Sequence, residues 1–219
     1  MIRFKYFVLK EEPQDIQSSH DFTIMRANPF TAAHQGLVGH VASSAADRGG
    51  SHSVLLTRTQ DKKKNPLTPE QKLYWAKKSF PDANIQLMTP EEPTLLHYLS
   101  RLHREGVTDP HLHVGSDRAG EFEKLVNTYN GVAGRHGFYN FPNITVHPYG
   151  DTRDDEDTGM AGISASAMRN AAMNADRDSY HAMSPSTLSP EDKDEQMRQV
   201  YNGMNPPPPE PKVKAKKKV

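Results

Sequence analysis

The sequence predicts an α/β protein: a doubly wound, mostly parallel five-stranded sheet with a short helical C-terminal extension. Three observations point there. Apolar runs of strand length recur along the chain, each bounded by Gly, Pro, Asn or Asp. Stretches with helical periodicity separate them. No internal repeat interrupts the alternation, and strand–helix alternation implies parallel strands with helices on both faces.

The elements follow in order. "FTIM" (22–25) is the first strand and 33–48 the first helix; "SVLLT" (53–57) is the second strand. The second helix covers 69–79, where Thr68 followed by Pro69 is an N-cap with a first-turn proline. "IQLM" (85–88), a helix over 94–105, "LHV" (112–114), a helix over 117–129 and "ITVH" (144–147) complete the alternation, all five strands reading as buried on both faces. Residues 1–20 form an N-terminal extension, 21–177 the main domain and 178–204 a helical extension with its helix near 190–202. Residues 205–219, "NPPPPEPKVKAKKKV", read as a disordered Pro- and Lys-rich tail, either a solubilising extension or a tether to nucleic acid or a partner.

Composition narrows the function. Twenty-seven Lys+Arg balance 27 Asp+Glu, so a globally basic nucleic-acid binder is not indicated. The absence of cysteine removes disulfides and thiolate metal sites. Mean hydropathy is −0.78, and no run approaches the roughly 18 apolar residues of a membrane span. The N-terminal apolar run is too short for a signal peptide, so a cytoplasmic protein without membrane contact is expected. Eleven histidines include no H-E-x-x-H spacing, and His111 and His113, neighbours on one strand face, read as structural. Trp75 reads as core, and the acidic run 151–159 as an exposed loop.

Two stretches carry chemistry. "RANPFTAAHQGLV" (26–38) sits where the first strand gives way to the first helix, at the sheet edge where parallel α/β proteins bind ligands. "GISASAMRNAA" (162–172) places Ser164 and Ser166 at a helix start with Arg169 behind them. Unpaired N–H groups and the positive dipole end suit phosphate there, although Ser164 also reads as a plain N-cap. Thr31 and His34, one helical turn apart, likewise read either as a cap with a surface residue or as a pair facing one ligand.

Together these stretches resemble the nucleotidylyltransferase superfamily, whose fold is Rossmann-like. Its first signature, a proline turn then His-or-Thr, any residue, Gly, His, is matched by Pro29-Phe30-Thr31-Ala32-Ala33-His34, with departures at Ala33 and Ala27 where glycine is usual. Its last, Ile-Ser-x-Ser/Thr-x-x-Arg, is matched in full by Ile163 to Arg169. "KNPLTPEQK" (64–72) looks like a segment of nicotinamide mononucleotide adenylyltransferases, and "HVGSDRAGEF" (113–122) is similar to the Gly-x-Asp turn of the superfamily. The likeness covers roughly residues 20–175 and extends to phage-encoded members, which would place the protein in a host cytoplasm.

The resemblance implies transfer of a nucleoside monophosphate from an NTP, ATP ahead of CTP, to a phosphorylated acceptor, nicotinamide mononucleotide being the leading one, with Mg²⁺ held through substrate and water and no protein metal cage. It gives Thr31, His34 and Arg169 catalytic roles and nucleotide-binding roles to Arg26, Asn28, Pro29, Phe30, Asp117, Ile163, Ser164 and Ser166. Asn65 is an acceptor contact or a turn residue; Asp117 is a ribose contact or a helix N-cap; Lys62, Lys63 and Lys64 are a solvated run or a polyphosphate lure. Two alternatives stand beside this: a CTP-dependent cytidylyltransferase acting on a phosphorylated alcohol, and a catalytically weak nucleotide-binding protein tethered by its basic tail. Self-association is left open.

Overall fold

The computed structural model describes residues 18–150 and 163–207. The N-terminal extension up to residue 17, the acidic run 151–159 and the tail from residue 208 lie outside the described residues.

Five strands, β1 (Ser19–Met25), β2 (Ser51–Leu56), β3 (Ile85–Leu87), β4 (Asp109–Gly115) and β5 (Thr145–Tyr149), form one sheet in the order β3-β2-β1-β4-β5, and every pairing is parallel. The helices α1 (Ala32–Asp47), α2 (Pro69–Ser79), α3 (Leu95–Arg104) and α4 (Ala119–Thr128) are the crossovers. The chain winds outward from β1 to β3, then returns to β4 on the other side of β1. The strand order therefore reverses between β1 and β4, where a crevice opens at the carboxyl edge.

Two cores flank the sheet. Val54, Leu56 and Met25 pack with Val38 of α1 and Ala76 of α2. Phe22, Leu55, Leu112 and Val114 pack on the other face with Leu99 of α3 and Val126 of α4. The split between Leu55 and its neighbours Val54 and Leu56 is the period-two alternation of a strand covered on both sides. β5 departs from the expected burial on both faces: Thr145, Val146, His147 and Tyr149 are only partly covered, because it is the sheet edge.

β1 begins at Ser19, so Ser19 and His20 belong to the sheet rather than to an extension. The C-terminal helices α5 (Ala165–Met173), α6 (Arg177–Met183) and α7 (Pro190–Met204) pack on one another. Met168, Ala171, Tyr180 and Val200 share a third core with Leu67 and Trp75, whose indole N–H donates to Gln199 Oε1 at 3.0 Å. Asn205 donates to the Tyr201 carbonyl, so the fold runs past residue 204. A Cβ at Gly203 would run into the Pro66 carbonyl, a backbone atom that cannot swing away. Gly203→Ala is expected to destabilise the protein by about 1–3 kcal/mol, read as a lowered urea midpoint at unchanged slope.

Candidate active site

The crevice between β1 and β4 is a cleft of about 750 Å³, within the size range of small-molecule sites. Arg26, Asn28, Thr31, His34, Asn65, Asp117, Ile163, Ser164, Ser166 and Arg169 all line it. Residues separated by up to 143 positions in the chain are thus neighbours in space.

The first wall is the turn out of β1. Ala27 takes φ 44°, a left-handed conformation that favours glycine and that alanine adopts at roughly 1 kcal/mol. Ala33 lies inside α1, where alanine is the best helix former, and its side faces the cleft. The Asn28–Pro29 peptide is cis.

Pro29 and Phe30 do not line the cleft, contrary to their expected nucleotide contact. Phe30 is 1% exposed and packs behind the site, its ring 5.2 Å from that of His34 and 5.9 Å from that of Phe80. Asn28 is also turned away: Oδ1 accepts from Leu67 N–H at 2.9 Å and Nδ2 donates to Leu67 O at 3.2 Å. Only its backbone is left for the site. Asn28→Ala strands a buried N–H and a buried carbonyl of Leu67, so a loss of about 2–3 kcal/mol in thermal or chemical denaturation is expected.

Thr31 and His34 form a reciprocal cap. The Thr31 hydroxyl accepts from His34 N–H at 3.3 Å, while Thr31 N–H donates to His34 Nδ1 at 3.0 Å. His34 occupies the place that Glu or Gln fills in an ordinary capping box. Thr31 is 1% exposed with its hydroxyl engaged against His34, so it positions that ring instead of reaching a ligand in parallel with it. Because Nδ1 accepts a backbone proton, the neutral ring carries its hydrogen on Nε2.

The second wall is the start of α5. Ser164 is its N-cap, its hydroxyl accepting from Ala167 N–H at 3.0 Å. The cap and ligand readings coexist, since a hydroxyl that accepts retains its own proton to donate. Arg169 donates from Nη1 to the Asn28 carbonyl at 2.8 Å and from Nη2 to Ser166 Oγ at 2.8 Å. Its guanidinium sits below its ordinary pKa, chiefly through burial, with the like charge of Arg26 acting in the same sense and Asp61 opposing.

A tight turn presents a third cation. Asp61 Oδ1 accepts from the N–H groups of Lys63 and Lys64, and Oδ2 accepts from Asn65 Nδ2. These bonds hold the Asp61 carboxyl at about 2, the Lys64 N–H contributing most. They bring Lys64 to the cleft, while Lys62 and Lys63 do not line it. Asn65 is a turn residue and a cleft residue together, its amide already committed to Asp61.

Across the crevice, a single 3-10 turn (Ser116–Arg118) follows β4. Asp117 is exposed and caps no helix: neither this turn nor α4 has a side-chain cap bond. Sequence reasoning passed over Arg118, which lines the cleft with its guanidinium 4.6 Å from the Phe122 ring centroid, and Tyr149 at the end of β5. Both were findable from the rule that ligands sit beyond strand carboxyl ends.

Among the described residues, four cations therefore face the cleft, Arg26, Lys64, Arg118 and Arg169, against the single carboxylate of Asp117. Arg26, Lys64 and Arg169 have no ion-pair partner among the described residues. Two helix N-termini, those of α1 and α5, open onto the same space. Such an arrangement binds a polyanion, phosphate above all. No group of three or more metal-ligating side chains occurs among the described residues, nor is any described helix long and apolar enough to cross a membrane. Compared with known proteins, the chain matches no family model and no curated protein.

Proposed function

We propose that the protein is a nucleotidylyltransferase that transfers a nucleoside monophosphate from an NTP, ATP ahead of CTP, to a phosphorylated acceptor, with nicotinamide mononucleotide the leading acceptor. The observation that carries this reading is the meeting, in one crevice, of an Nε2–H imidazole at one helix N-terminus and an arginine-backed pair of serines at another.

In this reaction an acceptor phosphate oxygen attacks the α-phosphorus, and the bond to the bridging β-phosphate oxygen breaks. Pyrophosphate departs with the electron pair. The nucleophile is already anionic, so the protein supplies alignment and charge stabilisation rather than a base. His34 Nε2–H donates to a non-bridging α-phosphate oxygen. Arg169 and the first N–H groups of α5 hold the β- and γ-phosphates and the charge that grows on them. Arg26 and Lys64 add positive charge along the same wall. Mg²⁺ would supply charge neutralisation of the triphosphate oxygens; among the described cleft residues Asp117 is the one carboxylate that could hold it.

Pyrophosphate release, measured with Mg²⁺ and either ATP or CTP against a panel of phosphorylated acceptors, tests the reading. Release with one nucleotide–acceptor pair is the expected result. Tight nucleotide binding with no release across the panel would replace the enzyme with a binding protein.

A further inference from the structure

Beneath α1, on the sheet face opposite Leu112 and Val114, lies a layer that no phosphate chemistry uses. β1 contributes Asp21, β4 contributes His111 and His113, β5 contributes His147 and Tyr149, and α1 contributes His40 with Arg48 at its C-cap. Asp21 and His113 are both 0% exposed. Their contact, Nε2 to Oδ1, is 2.6 Å, and Arg48 reaches the same carboxylate oxygen at 2.6 Å. His147 stacks on His113 with centroids 4.6 Å apart and planes 17° apart, and His40 meets His113 edge-on at 5.1 Å. His111 bonds Asp109 through Nε2 at 2.8 Å and His147 through Nδ1 at 2.9 Å. His52, the register neighbour of Asp21 on β2, bonds the Asn84 N–H instead.

At His113 the bonding pattern favours the neutral ring. His113 donates from Nε2 to Asp21, which leaves Nδ1 unprotonated, buried and without a partner. A second proton there would be a buried donor facing no acceptor. His111 Nδ1 and His147 Nε2 share a contact in which either ring can donate, and Arg48 Nη2 lies 3.5 Å from the same His147 nitrogen.

α1 packs mostly on β1 and β2 and reaches this layer along one side through His40 and Arg48. The helix buries only Val38, Val41 and Ala45 as apolar anchors. His40 packs on Tyr149 at 5.0 Å, Tyr149 lines the cleft, and a Cβ at Gly36 would run into the Tyr149 hydroxyl. We propose that the histidine layer is a proton-responsive seat for α1: neutral imidazoles hold the helix, with its His34 end, against β4 and β5, and their protonation releases it. Burial also keeps His113 at about 4 and His147 below its ordinary value, with Asp21 opposing both shifts. Rings whose folded pKa is depressed stabilise the fold above the unfolded value near 6.5 and lose that contribution as pH falls toward 4.

Hydrogen exchange of the full-length protein, corrected for intrinsic rates, reads this without reference to any substrate. Between about pH 7.5 and about pH 5, protection within α1 is expected to fall about tenfold or more while α2 and α3 hold theirs. In a variant that combines His40→Gln, at an exposed ring, with His147→Gln, at a half-buried one, the pH-dependent loss should shrink severalfold. Equal loss in all helices, or none in α1, would overturn the proposal. So would a double variant with the wild-type pH response; and if that variant fails to fold, ring titrations of His113 and His147 in the wild type decide, ordinary values near 6.5 with α1 protection unmoved refuting the seat.

Discussion

His34→Ala is expected to lower turnover by at least about a hundredfold while the protein stays folded, the size of effect seen when one preorganised donor to a developing charge is removed. The geometry also says how that loss can be separated from a folding defect. His34 accepts the Thr31 N–H as the third helical residue of a reciprocal cap, so alanine there removes a cap bond as well as a catalytic donor. The cap loss is worth about 1 kcal/mol and shows as a lowered melting temperature. His34→Gln tests the two apart. Glutamine serves naturally at this capping position, so it should restore the melting temperature, yet its amide does not place a donor where Nε2–H stands. Turnover should remain low in His34→Gln. If His34→Ala released pyrophosphate at the wild-type rate, the imidazole would be a cap and nothing more. Thr31→Val adds a graded comparison: it keeps the N–H that fixes the tautomer and deletes the hydroxyl, so a milder fall than in His34→Ala is expected.

The same capping box shows what sequence reasoning could reach. Spacing and residue type placed Thr31 and His34 at a strand–helix junction, and the alternation of apolar runs with helical stretches placed the junction at the carboxyl edge of a parallel sheet. Strand ends moved by a few residues: β4 runs from Asp109, ahead of "LHV", because Asp109 and His111, whose side chains bond each other, are strand residues. Apolar periodicity cannot mark such a strand. α6 escaped notice for a related reason, since Tyr180 alone is buried there and Asp176 supplies the cap. The site followed similar rules. Residues that touch the cleft through side chains at helix starts were legible: His34, Ser164, Ser166 and Arg169. Asn28 and Phe30 shared the motif, but motif membership does not separate side chains that face a ligand from those that build its wall. Asn28 pins Leu67, and Phe30 backs His34. Arg118 and Tyr149 lie just past or at the carboxyl ends of β4 and β5, where the sheet-edge rule would have found them.

Arg169→Lys is expected to reduce kcat/KM about 30- to 100-fold despite keeping the charge, because the residue works through geometry. Its fork reaches the Asn28 carbonyl with one nitrogen and Ser166 Oγ with the other, which ties the start of α5 to the turn after β1. A lysine ammonium is a point charge and cannot span both while facing a phosphate. The loss should divide between weaker nucleotide binding, seen by calorimetry without an acceptor, and slower turnover, since charge on the departing pyrophosphate grows only in the transition state. Stability is a second readout: the Asn28 carbonyl loses a donor in Arg169→Ala, so that variant should unfold earlier than Arg169→Lys. A variant with lysine that kept nucleotide affinity and turnover but melted earlier would make Arg169 a tie between two loops. Reduced affinity at an unchanged melting temperature would instead place the guanidinium on the phosphates, and with it the α5 terminus as the pyrophosphate end of the cleft.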